Sequence, residues 1–126
     1  MSTTTVNKPL TFFHPIEETF SKLEVAKRYY SMVFSIYNIP VTNQELLFVS
    51  FLSINGSLFT SALRDNFISE YKVSKAAIYN MISKLKKLQV LIKEPNKKIY
   101  INKPIRVDYT SGSITLKVKL KVETPE

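Results

Sequence analysis

At 126 residues, 44% of them apolar, the chain is long enough for one compact domain with a short appendage and too apolar for wholesale disorder. The absence of cysteine excludes disulfides, thiolate zinc sites and thiol nucleophiles, and two glycines leave no material for a glycine-rich phosphate loop. The net charge of +8 is lopsided: residues 1–71 hold five Lys/Arg against six Asp/Glu, whereas residues 72–126 hold thirteen against four, which points to a polyanion-facing surface on the second half.

Residues 1–14 read as an arm. Met1 to Thr11 lacks the charged-then-apolar layout of a signal peptide, and Phe12 and Phe13 are expected to pack against something. No apolar run approaches the roughly 18 residues of a membrane span, so a soluble chain without a membrane partner, in the cytoplasm, is expected. Pro15 suits a first helical position, with Glu17 and Glu18 in the first turn where acidic groups complement the helix dipole. Apolar residues at spacings of three or four from Ile16 to Tyr37 predict a long helix over about 15–38, stopped by Pro40.

Thr42-Asn43-Gln44-Glu45 is a capping-box sequence and predicts a second helix. Leu46, Leu47, Val49, Phe51, Leu52 and Ile54 make that helix apolar on most sides, as a central core helix must be, and Asn55-Gly56 ends it. A third helix is predicted at about 60–71. Phe59, Leu63 and Phe67 recur every fourth residue there, and Arg64, Asp65, Asn66 and Glu70 face outward.

After a short break, Ser74 is a good N-cap for a fourth helix at about 75–89. Ile78, Ile82, Leu85 and Leu88 form its buried stripe, and Lys75, Tyr79, Asn80, Ser83, Lys84, Lys86 and Lys87 lie on the other face. The period then changes to two. Val90–Lys93 and Lys98–Asn102 are predicted strands around the turn Glu94-Pro95-Asn96-Lys97, and a second hairpin is predicted from Ile105 to Val122 around Thr110-Ser111-Gly112-Ser113. The lysine row Lys117, Lys119 and Lys121 would be the solvent face of an edge strand.

The stretch Val73-Ser74-Lys75-Ala76-Ala77-Ile78-Tyr79, followed by Ile82-Ser83-Lys84-Leu85-Lys86-Lys87-Leu88, resembles the recognition helices of the winged helix-turn-helix superfamily of bacterial and phage regulators. The resemblance runs from Phe59 to Ile101, about a third of the chain, and departs from the family pattern where Gln89 stands in place of the usual glycine. It implies an α+β, mainly α fold, a winged helix-turn-helix domain with a long first helix at 15–103, to which the residue patterns above add an arm at 1–14 and an extra C-terminal β-hairpin at 104–126. It also implies double-stranded DNA as partner and a transcriptional regulator or replication accessory protein as role, with two copies paired through the first helix or a higher homo-oligomer.

A recognition helix must bury one stripe and project short polar groups from the other into the major groove, reading mostly with its N-terminal end. The expected DNA contacts are therefore Lys75, Ala76, Tyr79, Asn80 and Ser83 at base edges, with the capping Ser74 among the DNA-binding residues. Lys72, Lys84 and Lys87 are assigned to phosphates, and Lys97 and Lys98 to the wing tip. Tyr79 is equally suited to pack against the preceding helix. No cofactor, metal or catalytic site is expected: His14 is the only histidine, no nucleophile elbow surrounds the serines, and the carboxylates are scattered. The alternative, of another class, is a structural or assembly protein, for instance of a phage particle or packaging complex. It would sit in the virion and use residues 104–126 to add strands to a neighbouring subunit.

Overall fold

The structure, a computed structural model, describes residues 20–124. The arm at 1–14, the Phe12–Phe13 pair, His14 and the expected helix start at Pro15 lie outside those residues. Helix α1 runs Lys22–Ile36. Ser21 is extended and its Oγ accepts the Glu24 N–H at 3.1 Å, so the helix opens at Lys22 rather than continuing through Phe20 and Ser21 as the apolar spacing suggested. A serine three residues before a glutamate was the local signal for this start. The far end is also shorter than expected. Asn38 turns left-handed (φ 54°) and the Ile39 N–H donates back to the Phe34 carbonyl, closing the helix before Pro40 is reached.

Helix α2, Asn43–Ile54, begins with the complete capping box: Thr42 Oγ1 accepts the Glu45 N–H at 3.1 Å, and Glu45 Oε1 accepts the Thr42 N–H at 2.8 Å. It is buried almost all round, by Phe48, Val49, Phe51 and Leu52 among others. Its end requires Gly56, whose φ of +103° a side chain would strain. Helix α3 (Ser61–Tyr71) is capped by Thr60 and anchored by Phe67, which packs edge-on against Phe48 and Phe51.

Helix α4 (Lys75–Lys87) has Ser74 as N-cap, with Oγ accepting the Ala77 N–H at 3.0 Å. Its buried side is Ile78, Met81, Ile82 and Leu85. It ends two residues before the expected Gln89. The Gln89 N–H donates to Lys86 O and the Val90 N–H to Leu85 O, the paired bonds of a glycine-type helix stop, with Gln89 itself left-handed at φ 63°. The missing glycine therefore leaves the stop in place, at the expense of strain in one non-glycine residue.

Strands β1 (Leu91–Lys93) and β2 (Ile99–Ile101) pair antiparallel with Leu91 opposite Ile101, Ile92 opposite Tyr100 and Lys93 opposite Ile99. The connector between α2 and α3 lies along the free side of β2. Phe59 N–H donates to Ile99 O and Ile101 N–H to Ser57 O, both at 2.9 Å. Leu91, Ile101 and Val90 thereby close the core beneath the helices. The described residues form an α+β, mainly helical fold with four helices and one two-stranded antiparallel sheet.

The predicted second hairpin does not form. Residues 103–105 make a single 3-10 turn, and 106–124 contain no strand. The turn chemistry is present: Asp108 Oδ1 accepts from the Thr110 N–H and hydroxyl, and Gly112 is left-handed at φ 82°. The two arms it joins find other surroundings. Ile105, Val107, Tyr109 and Leu116 pack on the core. The Tyr30 hydroxyl, buried in α1, donates to Ile105 O at 2.7 Å, and Tyr109 OH meets Ser53 Oγ of α2 at 2.7 Å. Val118 is half exposed, and Leu120 and Val122 are almost fully exposed. Alternation shows that a segment is extended and one-sided, not whether its neighbour is another strand or a helix face.

Candidate nucleic-acid interface

The face of α4 opposite its buried stripe carries most of the expected contact residues. Lys75, Ala76, Asn80, Ser83 and Lys87 are all exposed, and Ala76, Asn80, Ser83 and Lys87 follow the four-, three- and four-residue steps that keep side chains on one side of a helix. Lys72 is exposed at the left-handed C-cap of α3 (φ 56°), two residues before Ser74. Ser74 is exposed, but its hydroxyl oxygen is occupied as the helix cap.

Lys97 and Lys98 are exposed at the tip of the β1–β2 hairpin. The tip is held by its own hydrogen bonds. The Lys97 N–H donates to Glu94 O at 2.7 Å, the Lys98 N–H to Asn96 Oδ1 at 2.9 Å, and Asn96 Nδ2 to Tyr100 OH at 3.0 Å.

Lys84 has a partner within the fold. Its ammonium donates to Glu45 Oε1 at 2.8 Å, reaching from α4 to the start of α2. The Lys84 side chain is 41% exposed and that of Glu45 only 8%. Burial pushes the Glu45 carboxyl up, but the hydrogen bond from Lys84 and the one from the Thr42 N–H outweigh it and hold the carboxyl below its ordinary range. The lysine spacing on α4 gave no hint of this, because the partner comes from a cap 39 residues earlier. Lys84 is thus a residue of the fold first.

Two arginines that the sequence did not single out shape this face. Arg64 on α3, expected to point outward, lies across to α4: Nε donates to Asp65 Oδ1 at 2.9 Å and Nη1 to Tyr79 OH at 3.0 Å. Those bonds, the one to Asp65 first, raise the guanidinium pKa above the ordinary arginine value. Tyr79 packs its ring edge-on against Phe59 (centroids 6.4 Å apart) yet remains 45% exposed, so it both touches the neighbouring element and faces outward.

Arg106 clasps the hairpin from the chain that follows it. Nε donates to the Ile101 carbonyl, Nη2 to Glu94 Oε2 at 3.0 Å, and the guanidinium lies over the Tyr100 ring. Glu94 is the only carboxylate between Lys72 and Lys98, and Arg106 neutralises it, leaving the positive charge of the tip unopposed within the hairpin.

Among the described residues no helix is long and apolar enough to cross a membrane, and no three His, Asp or Glu side chains gather as a metal site requires. Comparison of the chain with protein-family models, curated proteins and solved structures found no match.

Proposed function

We propose that this protein binds double-stranded DNA as a winged helix-turn-helix, with α3 and α4 as the helix pair, the exposed face of α4 in the major groove and the β1–β2 hairpin as a wing against the phosphate backbone. The observation that carries this reading is the two-sided construction of α4. Ile78, Met81, Ile82 and Leu85 are buried, while Lys75, Ala76, Asn80, Ser83 and Lys87 face outward beside a hairpin tipped by Lys97 and Lys98. A helix fixed on one side and studded with short polar and cationic groups on the other suits a major groove about 12 Å wide. Asn80 has the amide geometry for the paired bonds that adenine offers, and Ala76 suits a thymine methyl. Lys75 stands with them at the base-reading end, and Lys72 and Lys87 then act on phosphates, with the wing lysines. A transcriptional regulator or a replication accessory protein is the role that follows, with two copies placing α4 on two half-sites.

The test is anisotropy titration of a random 20-base-pair duplex at 50 and 200 mM salt. Each lysine–phosphate contact adds about 0.9 to the slope of log affinity against log salt, so the double variant Lys97→Glu/Lys98→Glu should bind more weakly and lower that slope by about 2. Binding that is absent at 50 mM salt, or unchanged in the double variant, sinks the proposal.

One observation favours the assembly reading. Leu120 and Val122 are 85% and 88% exposed on an extended segment that pairs with nothing among the described residues. An unpaired extended segment with apolar residues on alternate positions is suited to adding a strand to a partner. A salt-insensitive oligomer by light scattering, lost when residues 114–126 are removed and unaffected by the wing substitutions, would establish that role instead.

A further inference from the structure

We infer that Arg64 and Tyr79 together form a directed hydrogen-bond donor for an acceptor atom on duplex DNA. The inference rests on the DNA-binding reading above and adds a chemical preference to it. A tyrosine hydroxyl carries one hydrogen and ordinarily chooses between donating and accepting. Here the choice is made in advance. The Arg64 guanidinium donates to the Tyr79 oxygen at 3.0 Å, and this is the only hydrogen bond to that hydroxyl among the described residues. With its accepting side occupied by a cationic donor, the hydroxyl turns its own hydrogen away and becomes more polarised.

The unit is also held in place. Asp65 grips Arg64 Nε at 2.9 Å, Phe59 meets the Tyr79 ring edge-on, and the Phe59 N–H is tied to Ile99 O at 2.9 Å. Tyr79 lies one turn into α4 between the exposed Lys75 and Ser83, on the part of the helix that reads bases. A donor-only group there donates to guanine N7 or O6, adenine N7, thymine O4 or a phosphate oxygen. It rejects the amino group of cytosine.

The test uses the full chain and two duplexes, one 20-base-pair sequence selected by the wild-type protein from a randomised pool and one unselected. Tyr79→Phe removes the hydrogen and keeps the ring. It should weaken binding about 5- to 30-fold, as the loss of one such bond implies. Loss confined to the selected duplex assigns the acceptor to a base edge; equal loss on both assigns it to phosphate. Arg64→Met should lower affinity by a similar factor in the wild-type background and by less than about twofold in the Tyr79→Phe background, because it acts through the hydroxyl.

The inference is overturned if Tyr79→Phe binds both duplexes within twofold of wild type, or if Arg64→Met weakens Tyr79→Phe further. Lys97→Glu/Lys98→Glu serves as the reference variant. If it loses affinity while Tyr79→Phe does not, the directed donor fails and DNA binding stands. If the wild-type protein binds neither duplex, both fail.

Discussion

Replacing Lys84 by methionine separates the lysines that build the fold from those that face outward. The substitution keeps the apolar stem against α4 and removes only the ammonium that donates to Glu45 Oε1 at 2.8 Å. Breaking a fully buried ion pair costs about 3–5 kcal/mol, and an exposed pair is worth about 0–1. This pair lies between those limits: the Glu45 side chain is 8% exposed and that of Lys84 41%, so solvent screens one end. The carboxylate also keeps the Thr42 N–H, at 2.8 Å, after the ammonium has gone. A loss of about 1–2 kcal/mol at pH 7 follows, or roughly 4–8 °C in Tm for a chain of this size.

The pH dependence gives the sharper test. The folded-state pKa of Glu45 is depressed, so its contribution is fully present above the unfolded glutamate pKa of about 4.3 and is lost as pH falls through the lower folded value. The stability gap between wild type and Lys84→Met, measured by urea unfolding followed by circular dichroism, should therefore be constant from pH 7 to about pH 5. It should shrink below pH 4. Equal stabilities at pH 7, or a gap that persists unchanged at pH 3, would refute the assignment. Lys84→Glu is the wrong probe of DNA binding for the same reason, since it sets a second carboxylate against a buried one.

Gln89→Gly should stabilise the protein by about 0.5–1 kcal/mol, seen as a raised urea midpoint, because Gln89 occupies a left-handed position (φ 63°) at the end of α4 and its side chain is exposed. Tyr30→Phe should cost about 1–3 kcal/mol at pH 7 by leaving the Ile105 carbonyl without the hydroxyl it accepts from at 2.7 Å. Burial raises the Tyr30 pKa, so wild-type stability is fully present below the unfolded tyrosine value of about 10 and falls as pH rises beyond it. A pH titration of unfolding should show a shallower alkaline decline in Tyr30→Phe, and an identical decline would discount the buried hydroxyl.

The parts of this fold legible in the sequence are those whose signals are local. The capping box at Thr42–Glu45, the cap at Ser74, the four-residue recurrence of Leu63 and Phe67 and the turn at Glu94–Lys97 each lie within a few residues of one another, and each appears in the structure where its residues stand. What was not legible depended on partners far along the chain. The alternation of Ile105, Val107 and Tyr109 suggested a hairpin, but their neighbours are α1 and α2, reached through Tyr30 and Ser53. The start of α1 shows a different kind of miss. The apolar spacing continued N-terminally past Ser21, and periodicity outweighed the serine–glutamate cap that ends it. On the candidate face, the exposed stripe of α4 could be read from period alone. The arginines on either side of it could not, because Arg64 and Arg106 act through Tyr79 and Glu94 on other elements.

Charge pairing then sorts the basic residues by purpose. Among the described residues, Lys84 is the one of the eight lysines from Lys72 to Lys98 that is bonded to a carboxylate, and that carboxylate belongs to a helix cap. The carboxylate within the same stretch, Glu94, is taken by Arg106 from outside it. The Arg106 pairing thus neutralises a negative charge in the lysine stretch without using one of its lysines, and the Glu45 pairing uses Lys84 alone. Like charges gathered within a Debye length, about 8–10 Å at physiological salt, repel one another and lower stability unless an anion is present to meet them. A face that carries more lysines than acids gains stability when a polyanion binds there. This is the physical argument for the interface proposed above over a solubilising coat.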